Sequence, residues 1–308
     1  MSNSPIHDDN ILPKQGGLRT RETGRVFSTG TPLVTVVTVV FNGEKYLEEA
    51  IQSVIGQDYE NLEYIVVDGG STDSSLDIIR RYEDRIDFWV SGPDAGIYDA
   101  MNKGIALASG ELIGLLNADD RYEQGAIKAI AGAFLNSRGD ENIVIAGKWN
   151  LLFEETDLVI TASPSLRFWM GMPISHQAMF IPKKVYDTTA GYDTAYRYAA
   201  DLDMVVRLFL RGIRFVFLDQ VLVSFRTSGA SGLFYRESAR EAATIIGINL
   251  PWKYRMGFRL MSLKYLFLAS ASKSARRILG VKIVSSMEKG YFLMKSLYSR
   301  SWEKGSHR

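Results

Sequence analysis

The chain has 308 residues, 46% of them hydrophobic, and a formal net charge of +1, enough for one large core with appendages. It contains no cysteine, which excludes a disulfide framework, a thiolate metal site and a cysteine nucleophile. The first residues lack the basic-then-apolar layout of a secretory signal, and no run approaches the ~20 apolar residues of a membrane-spanning helix. The expectation is a soluble or peripheral protein.

Residues 1–30 mix Gly, Ser, Asn and Asp with charges and show no sustained period, so they read as a mobile arm. Residues 33–40 (LVTVVTVV) form a β-branched run typical of a strand buried on both faces. A helix is predicted over 44–57, with Leu47, Ala50, Ile51, Val54 and Ile55 at helical spacing. Next come a strand over 62–67 that ends at Asp68, a helix over 74–82 and a strand over 86–90. A helix over 98–108 leads to a strand over 112–116 that ends at Asn117, Asp119 and Asp120, then to a helix over 123–136 and a strand over 143–146. This alternation implies a mostly parallel sheet with helices on both faces, in which ligands bind at the carboxyl ends of the strands. Asp68, Asp94 and the Asn117–Asp120 turn all fall at such ends.

Beyond residue 148 the pattern changes. Residues 149–160 alternate like a hairpin, 178–181 read as a short strand, 199–211 as a helix and 213–218 as a strand. Residues 236–300 look mainly helical, with a break at Pro251. The last 58 residues, 251–308, carry 13 Lys and Arg against Glu288 and Glu303 alone, leaving 23 basic and 33 acidic residues in the first 250. An acidic body with a basic tail predicts different partners for the two.

Two segments carry chemistry. In NADD (Asn117–Asp120) two adjacent carboxylates on a turn repel each other unless they are solvated or bound to a cation. Hard divalent cations take such oxygen ligands and leave positions for phosphate. The plainer reading is a solvated turn that caps the following helix. In VDGGSTD, Asp68 sits at a strand end, Gly69 and Gly70 allow close backbone approach, and Ser71 or Asp73 can cap the next helix. Neither a G-x-G-x-x-G nor a P-loop follows a strand. A nucleotide would therefore be held by carboxylates and metal, not by a glycine cradle.

Taken in order, these segments resemble glycosyltransferase family 2, the large inverting group with the GT-A type fold. The likeness runs over residues 32–226, nearly two-thirds of the chain. TVVTVVFNGEKYLEEAIQSVIGQDYENLEYIVVDGGSTD is similar to the family's first nucleotide-binding half, and PDAGIYDAMNKGIALASGELIGLLNADD to its donor loop, following helix and metal motif. SHQAMFIPKK and AYRYAADLDMVVRLFLRG are similar to its acceptor-side half. The fold implied is α/β, a GT-A type Rossmann-like sheet over 31–235 (nucleotide-binding half 31–120, acceptor-side half 121–235), with a basic helical extension over 236–308.

The resemblance also implies roles. Thr38 and Phe41 would contact the base, and Asp68 with Ser71 the uracil or ribose. Asp94 and Gly96 would lie in the donor loop, with Asn102 in the helix that follows. Asn117 belongs to the D-x-D motif, and Asp119 and Asp120 would bind Mg²⁺ or Mn²⁺. Asp201 would be the base that takes a proton from the acceptor hydroxyl. The chain departs from the family pattern at Asn117, Gly69, Met101 and Ala200, where Asp, Asp, Arg and Glu are usual; Lys103 stands beside Met101 as a substitute cation. Similar AAD-x-D patterns occur in bacterial polysaccharide-assembly enzymes. Read without the resemblance, Asp201 and Asp203 are two acids in a helix's first turn.

His176 stands as a contact to phosphate or acceptor, as a completing metal ligand, or as a structural histidine; Asp203 stands beside Asp201 as a supporting acid. Trp149, Trp169 and Met170 read as core or as an acceptor platform, and Arg207 as a structural ion-pair partner. The expected partners are a nucleotide-sugar donor, UDP-linked by resemblance, and a glycan or lipid-linked acceptor. The basic tail suits an anionic bilayer, which would place the protein in the cytoplasm with peripheral contact at the inner membrane face; a helical hairpin packed on the body fits the tail equally. No nucleic-acid motif is present. Two competing functions remain. A nucleotidyltransferase would show a glycine-rich basic loop after the first strand, where this chain has FNGEKYL. A non-catalytic nucleotide-sugar-binding subunit would carry the same departures.

Overall fold

The structure, a computed structural model, describes residues 13–21, 25–154, 157–168, 173–227 and 235–257. Its first half runs Lys14–Gly16 (β1), Val34–Val40 (β2), Leu47–Ile55 (α1), Leu62–Asp68 (β3), Ser75–Arg81 (α2), Phe88–Ser91 (β4), Ile97–Leu107 (α3) and Leu112–Asn117 (β5). The second half runs Arg121–Tyr122 (β6), Ala126–Asn136 (α4), Ile143–Phe153 (β7), Leu158–Ala162 (β8), Met179–Pro182 (β9), Lys183–Thr189 (α5), Ala200–Leu210 (α6), Arg214–Arg226 (β10) and Tyr235–Asn249 (α7).

The strands form one sheet in the order β1-β4-β3-β2-β5-β9-β7-β10-β6, with β8 paired to β7. Strands β4, β3, β2 and β5 are parallel. β9 runs antiparallel to both β5 and β7, while β10 is parallel to β7. β2 and β3 are buried along their full lengths, as expected of strands covered on both faces. One core joins α1, α2 and α4 to the sheet through Val34, Val36 and Val40. The other joins α3, α6 and α7 through Val37 and Val39. α7 lies at the start of the basic extension and contributes Ala242, Ile245, Ile246 and Leu250 to this second core.

Register sets the site. Val40 lies opposite Asp68, Val39 opposite Asn117, and Asp68 opposite Ser91. Residues from β2, β3, β4 and β5 thus end at one level, the carboxyl edge where an open α/β sheet binds ligands.

Residues 14–20 depart from the expected mobile arm. β1 pairs antiparallel with β4 and covers the sheet edge, satisfying N–H and C=O groups that would otherwise be open. Arg19 then pairs with Glu63, a carboxylate fully buried on β3. A buried carboxylate needs a cation or donors, and the cation arrives from 44 residues upstream, where periodicity gives no signal. β10 is also longer than expected, because irregularities between Phe217 and Val223 interrupt the alternation that marks a strand. Trp149 packs in the core, while Trp169 and Met170 lie outside the described residues. Among the described residues, no helix is long and apolar enough to cross a membrane.

Candidate active site

On the nucleotide-binding side, two loops are sewn together. The Asn42 N–H donates to Ser71 Oγ (2.8 Å), and Asn42 Oδ1 accepts from the Thr72 N–H (2.9 Å). The Gly43 N–H donates to Ser75 Oγ, the Glu44 N–H to Asp73, and the Ser74 N–H back to Glu44. Asn42 takes a left-handed φ of 51° to permit this. Asp68 is buried at the end of β3. Its carboxylate accepts from the Ser71 N–H and hydroxyl and from Ser91 Oγ (2.6 Å).

The carboxylate of Asp94 lies where a side chain on residue 69 would begin, so Gly69 is what lets the 68 and 94 loops meet. Asp94 Oδ1 accepts from the Gly96 N–H (2.9 Å), and Gly96 has φ 123° with open space around it. Phe41, just past β2, is 64% exposed and available to a ligand.

Two expected donor contacts are placed elsewhere. Thr38 is wholly buried, and its hydroxyl oxygen accepts from the Tyr64 hydroxyl (3.0 Å). The pleat of β2 turns it into the sheet interior, where no base can reach it. Asn102 pairs both ends of its amide with the backbone of Tyr192, each at 2.8 Å; it ties α3 to the turn before α6. Lys103 Nζ lies 3.0 Å from both Asp99 and the Pro93 carbonyl, bracing the donor loop.

The Asn117–Asp120 turn divides its two acids. Asp120 is 2% exposed and accepts from Gln177 Nε2 (2.8 Å) and the Arg226 N–H (3.2 Å). Burial and the neighbouring Asp119 charge push its carboxyl well above the usual range. This is a structural acid that joins β5 to β9 and β10, not the metal ligand expected. Asp119 remains as the motif's candidate ligand. Burial raises its carboxyl too, against the pull of Arg226 and His176.

Arg226 locks the turn. It donates to the Asp119 carbonyl (2.5 Å), pairs with Glu49 (2.5 Å) and Glu154 (3.1 Å), and lies over the Tyr46 ring at 4.0 Å. Arg226, Gln177 and Tyr98 fall within the family-like segments, but nothing in their local pattern marks these roles.

Asp201 opens α6. Its Oδ1 accepts from the Tyr98 hydroxyl (3.3 Å) and from the Leu202 N–H (2.8 Å), and its Oδ2 lies 3.5 Å from His176 Nδ1. Burial, then the Asp201 charge, drives the Tyr98 hydroxyl upward in pKa, which keeps it a proton donor. Tyr98 also stacks on Tyr192 with ring centres 5.6 Å apart. Asp203 turns to the interior and pairs with Arg207 (2.6 Å), whose other nitrogens hold the Thr189 and Gly191 carbonyls. Arg207 is thus the structural partner expected, and Asp203 serves the fold.

The contacts link up. The loop of Asp68 meets that of Asp94; α3, which follows, brings Tyr98 to Asp201; Asp201 meets His176. Asn117 Oδ1 and His176 Nε2 are buried and have no hydrogen-bond partner among the described residues.

A mostly parallel α/β sheet with carboxylates gathered at its carboxyl edge is the layout of a GT-A type glycosyltransferase. The family model "Glycosyl transferase family 2" matches residues 35–192, half of the chain, and the chain belongs to that family. It is 32% identical over 250 residues to an uncharacterized glycosyltransferase of Mycobacterium tuberculosis (strain H37Rv), covering 77% of this chain and 91% of that one. It is 27% identical over 238 residues to a PGL/p-HBAD biosynthesis glycosyltransferase of Mycobacterium bovis, covering 75% and 88%. Among solved structures, the fold is similar to S. aureus TarS 1-349 in complex with UDP-GlcNAc (TM-score 0.54, 20% identity, 72% and 69% covered). It is also similar to the mannosyltransferase PcManGT of Pyrobaculum calidifontis in complex with GDP-Man and Mn²⁺ (TM-score 0.58, 18% identity, 91% and 85% covered). The protein is a glycosyltransferase.

Proposed function

We propose that this glycosyltransferase moves a sugar from a nucleoside-diphosphate sugar, UDP-linked, to a hydroxyl of a glycan or lipid-linked saccharide, with inversion and with Asp201 as base. The observation that carries this reading is the placement of Asp201, held by the Tyr98 hydroxyl on one oxygen and facing His176 on the other. The UDP-GlcNAc and GDP-Man complexes of the structural neighbours support a nucleotide-sugar donor.

The chain's residues also fit a divalent cation. Asn117 Oδ1, buried without a partner, and the Asp119 carboxylate are hard oxygen donors suited to Mg²⁺ or Mn²⁺, and His176 Nε2, also buried without a partner, would be a softer nitrogen ligand. Among the described residues no cluster of three His, Cys, Asp or Glu side chains would hold a metal alone, so the set needs Asn117 and the donor's own oxygens. Bound there, such an ion offsets charge growing on the leaving diphosphate.

Asp201 accepts the proton of the acceptor hydroxyl as that oxygen attacks the anomeric carbon. The new glycosidic bond forms on the face opposite the breaking bond to diphosphate, so the configuration inverts. Tyr98 and the Leu202 N–H fix the base's orientation. The exposed loop at Phe41 and the Asp94 carboxylate line the nucleoside end, and the buried Asp68 carboxylate holds the Ser71 turn beside them.

An acceptor at a lipid surface is supported by the C-terminal end of the described chain. Ile248 (68% exposed) near the end of α7, and Trp252 (70%) and Met256 (52%) after the break at Pro251, are exposed apolar side chains, with Lys253 and Arg255 among them. Exposed apolar side chains among basic ones suit an anionic bilayer. Flotation of the full chain with anionic vesicles, lost in Trp252→Glu, is expected; equal flotation of both removes the membrane from the proposal.

The central test follows nucleoside-diphosphate release from UDP- and GDP-sugars with and without Mn²⁺. Release that needs metal and the Asp201 carboxylate is expected. Pyrophosphate release would point instead to a nucleotidyltransferase, and tight donor binding without turnover to a binding subunit.

A further inference from the structure

We infer that Glu241, on α7, is a positioning residue for Asp201, which makes the first helix of the C-terminal extension part of the catalytic unit. α6 opens poorly on its own. Its N-cap is Ala199, whose side chain makes no capping hydrogen bond, so the first N–H groups and the turn leading into them lack the local acceptor such positions require.

The acceptor comes from another element. Glu241 takes hydrogen bonds from three consecutive backbone N–H groups, those of Arg197 (3.0 Å), Tyr198 (2.8 Å) and Ala199 (2.9 Å). A carboxylate gripped by successive N–H groups at the positive end of a helix is favoured twice, by charge-assisted hydrogen bonds and by the helix dipole. The gripped segment ends one residue before Ala200-Asp201. α7 is itself anchored, because Ala242, Ile245, Ile246 and Leu250 sit in the core shared with Leu202 and Val205 of α6.

The family's usual Glu beside the base is Ala200 here, so no neighbouring acid orders this turn from within α6. Glu241 does so from outside. It fixes the height of α6's first turn, and with it the distance from Asp201 to Tyr98 and His176. Misplacement of a catalytic group by ~1 Å costs on the order of 10²-fold in rate.

This inference rests on Asp201 being the base, and the experiment separates the two. In the full chain, Glu241→Ala, Glu241→Gln and Asp201→Asn are compared, together with the double variant Glu241→Ala/Asp201→Asn. Turnover, acceptor KM, donor affinity and melting temperature are measured for each. Glu241→Ala is expected to lower kcat by about 10–10²-fold with donor affinity unchanged. Glu241→Gln, which keeps an acceptor oxygen, should recover part of the loss. On the Asp201→Asn background, Glu241→Ala should lower the residual rate no further, because no base remains to be misplaced.

Wild-type kcat in Glu241→Ala overturns the inference. So does an equal loss on both backgrounds with donor affinity falling in parallel, the mark of a merely structural role. Asp201→Asn turning over at the wild-type rate fails the base assignment and not the grip of Glu241, which the melting temperatures still report. If Glu241→Ala does not fold, Glu241→Gln gives the same kcat comparison on both backgrounds.

Discussion

The two halves of the cleft are built on opposite principles. On the nucleotide side, Asp68, Asp73 and Glu44 accept from N–H and O–H groups of adjoining loops, so that edge is complete before any ligand arrives. At the Asn117–Asp120 turn and the acceptor side facing it, Asp119 is buried enough to raise its carboxyl, and Asn117 Oδ1 and His176 Nε2 have no partner among the described residues. Buried polar atoms without partners are costly. The first edge is a preformed rest for a nucleoside. The second is a set of donors waiting for charge.

The sharpest way to break this contrast is Asp201→Asn. Turnover should fall by about 10²–10⁴-fold while donor titration stays close to wild type. Loss of donor binding instead would place Asp201 in the fold.

Next in size is a pair of variants in the NADD turn. Asp119→Asn should reduce metal-dependent donor binding and turnover by about 10²-fold, mimicked by a chelator and reversed by added Mn²⁺. Asp120→Asn should cost stability more than metal response, because its amide nitrogen would replace an oxygen that accepts from Gln177 or from the Arg226 N–H. Equal loss in both variants would undo the division of that turn.

A smaller effect is expected on the nucleotide side. Ser91→Ala removes one donor from the Asp68 carboxylate and should weaken donor binding or stability by about 1–3 kcal/mol, with kcat unchanged. Calorimetry and melting curves distinguish the two.

The smallest catalytic effect belongs to Thr38→Val. It strands the buried Tyr64 hydroxyl and should cost stability of roughly 1–3 kcal/mol with no change in donor affinity. A large change in affinity would restore Thr38 to the base site.

Much of this protein was legible before its structure. β-branched runs marked β2 and β3, a small apolar run marked β5, and the Asp- and Asn-bearing ends of β3 and β5 marked the edge that binds ligand. Asp201 was found through resemblance alone, since two acids in a first helical turn are also what a helix dipole favours. The errors share a cause. Thr38 and Asn102 lie at the right height in the sequence, but one faces a tyrosine within the sheet and the other a backbone turn 90 residues away.

The amino-acid order by itself determined the alternating strands and helices, the carboxyl edge and its chemistry, because periodicity and turn residues act within a few positions. Only the tertiary structure decided which acid of Asp119 and Asp120 is held inside, that Arg19 neutralises Glu63, and that Glu241 supports the start of α6. Each of these depends on a partner far along the chain. Local pattern reports which face a side chain takes, and packing alone reports what it meets there.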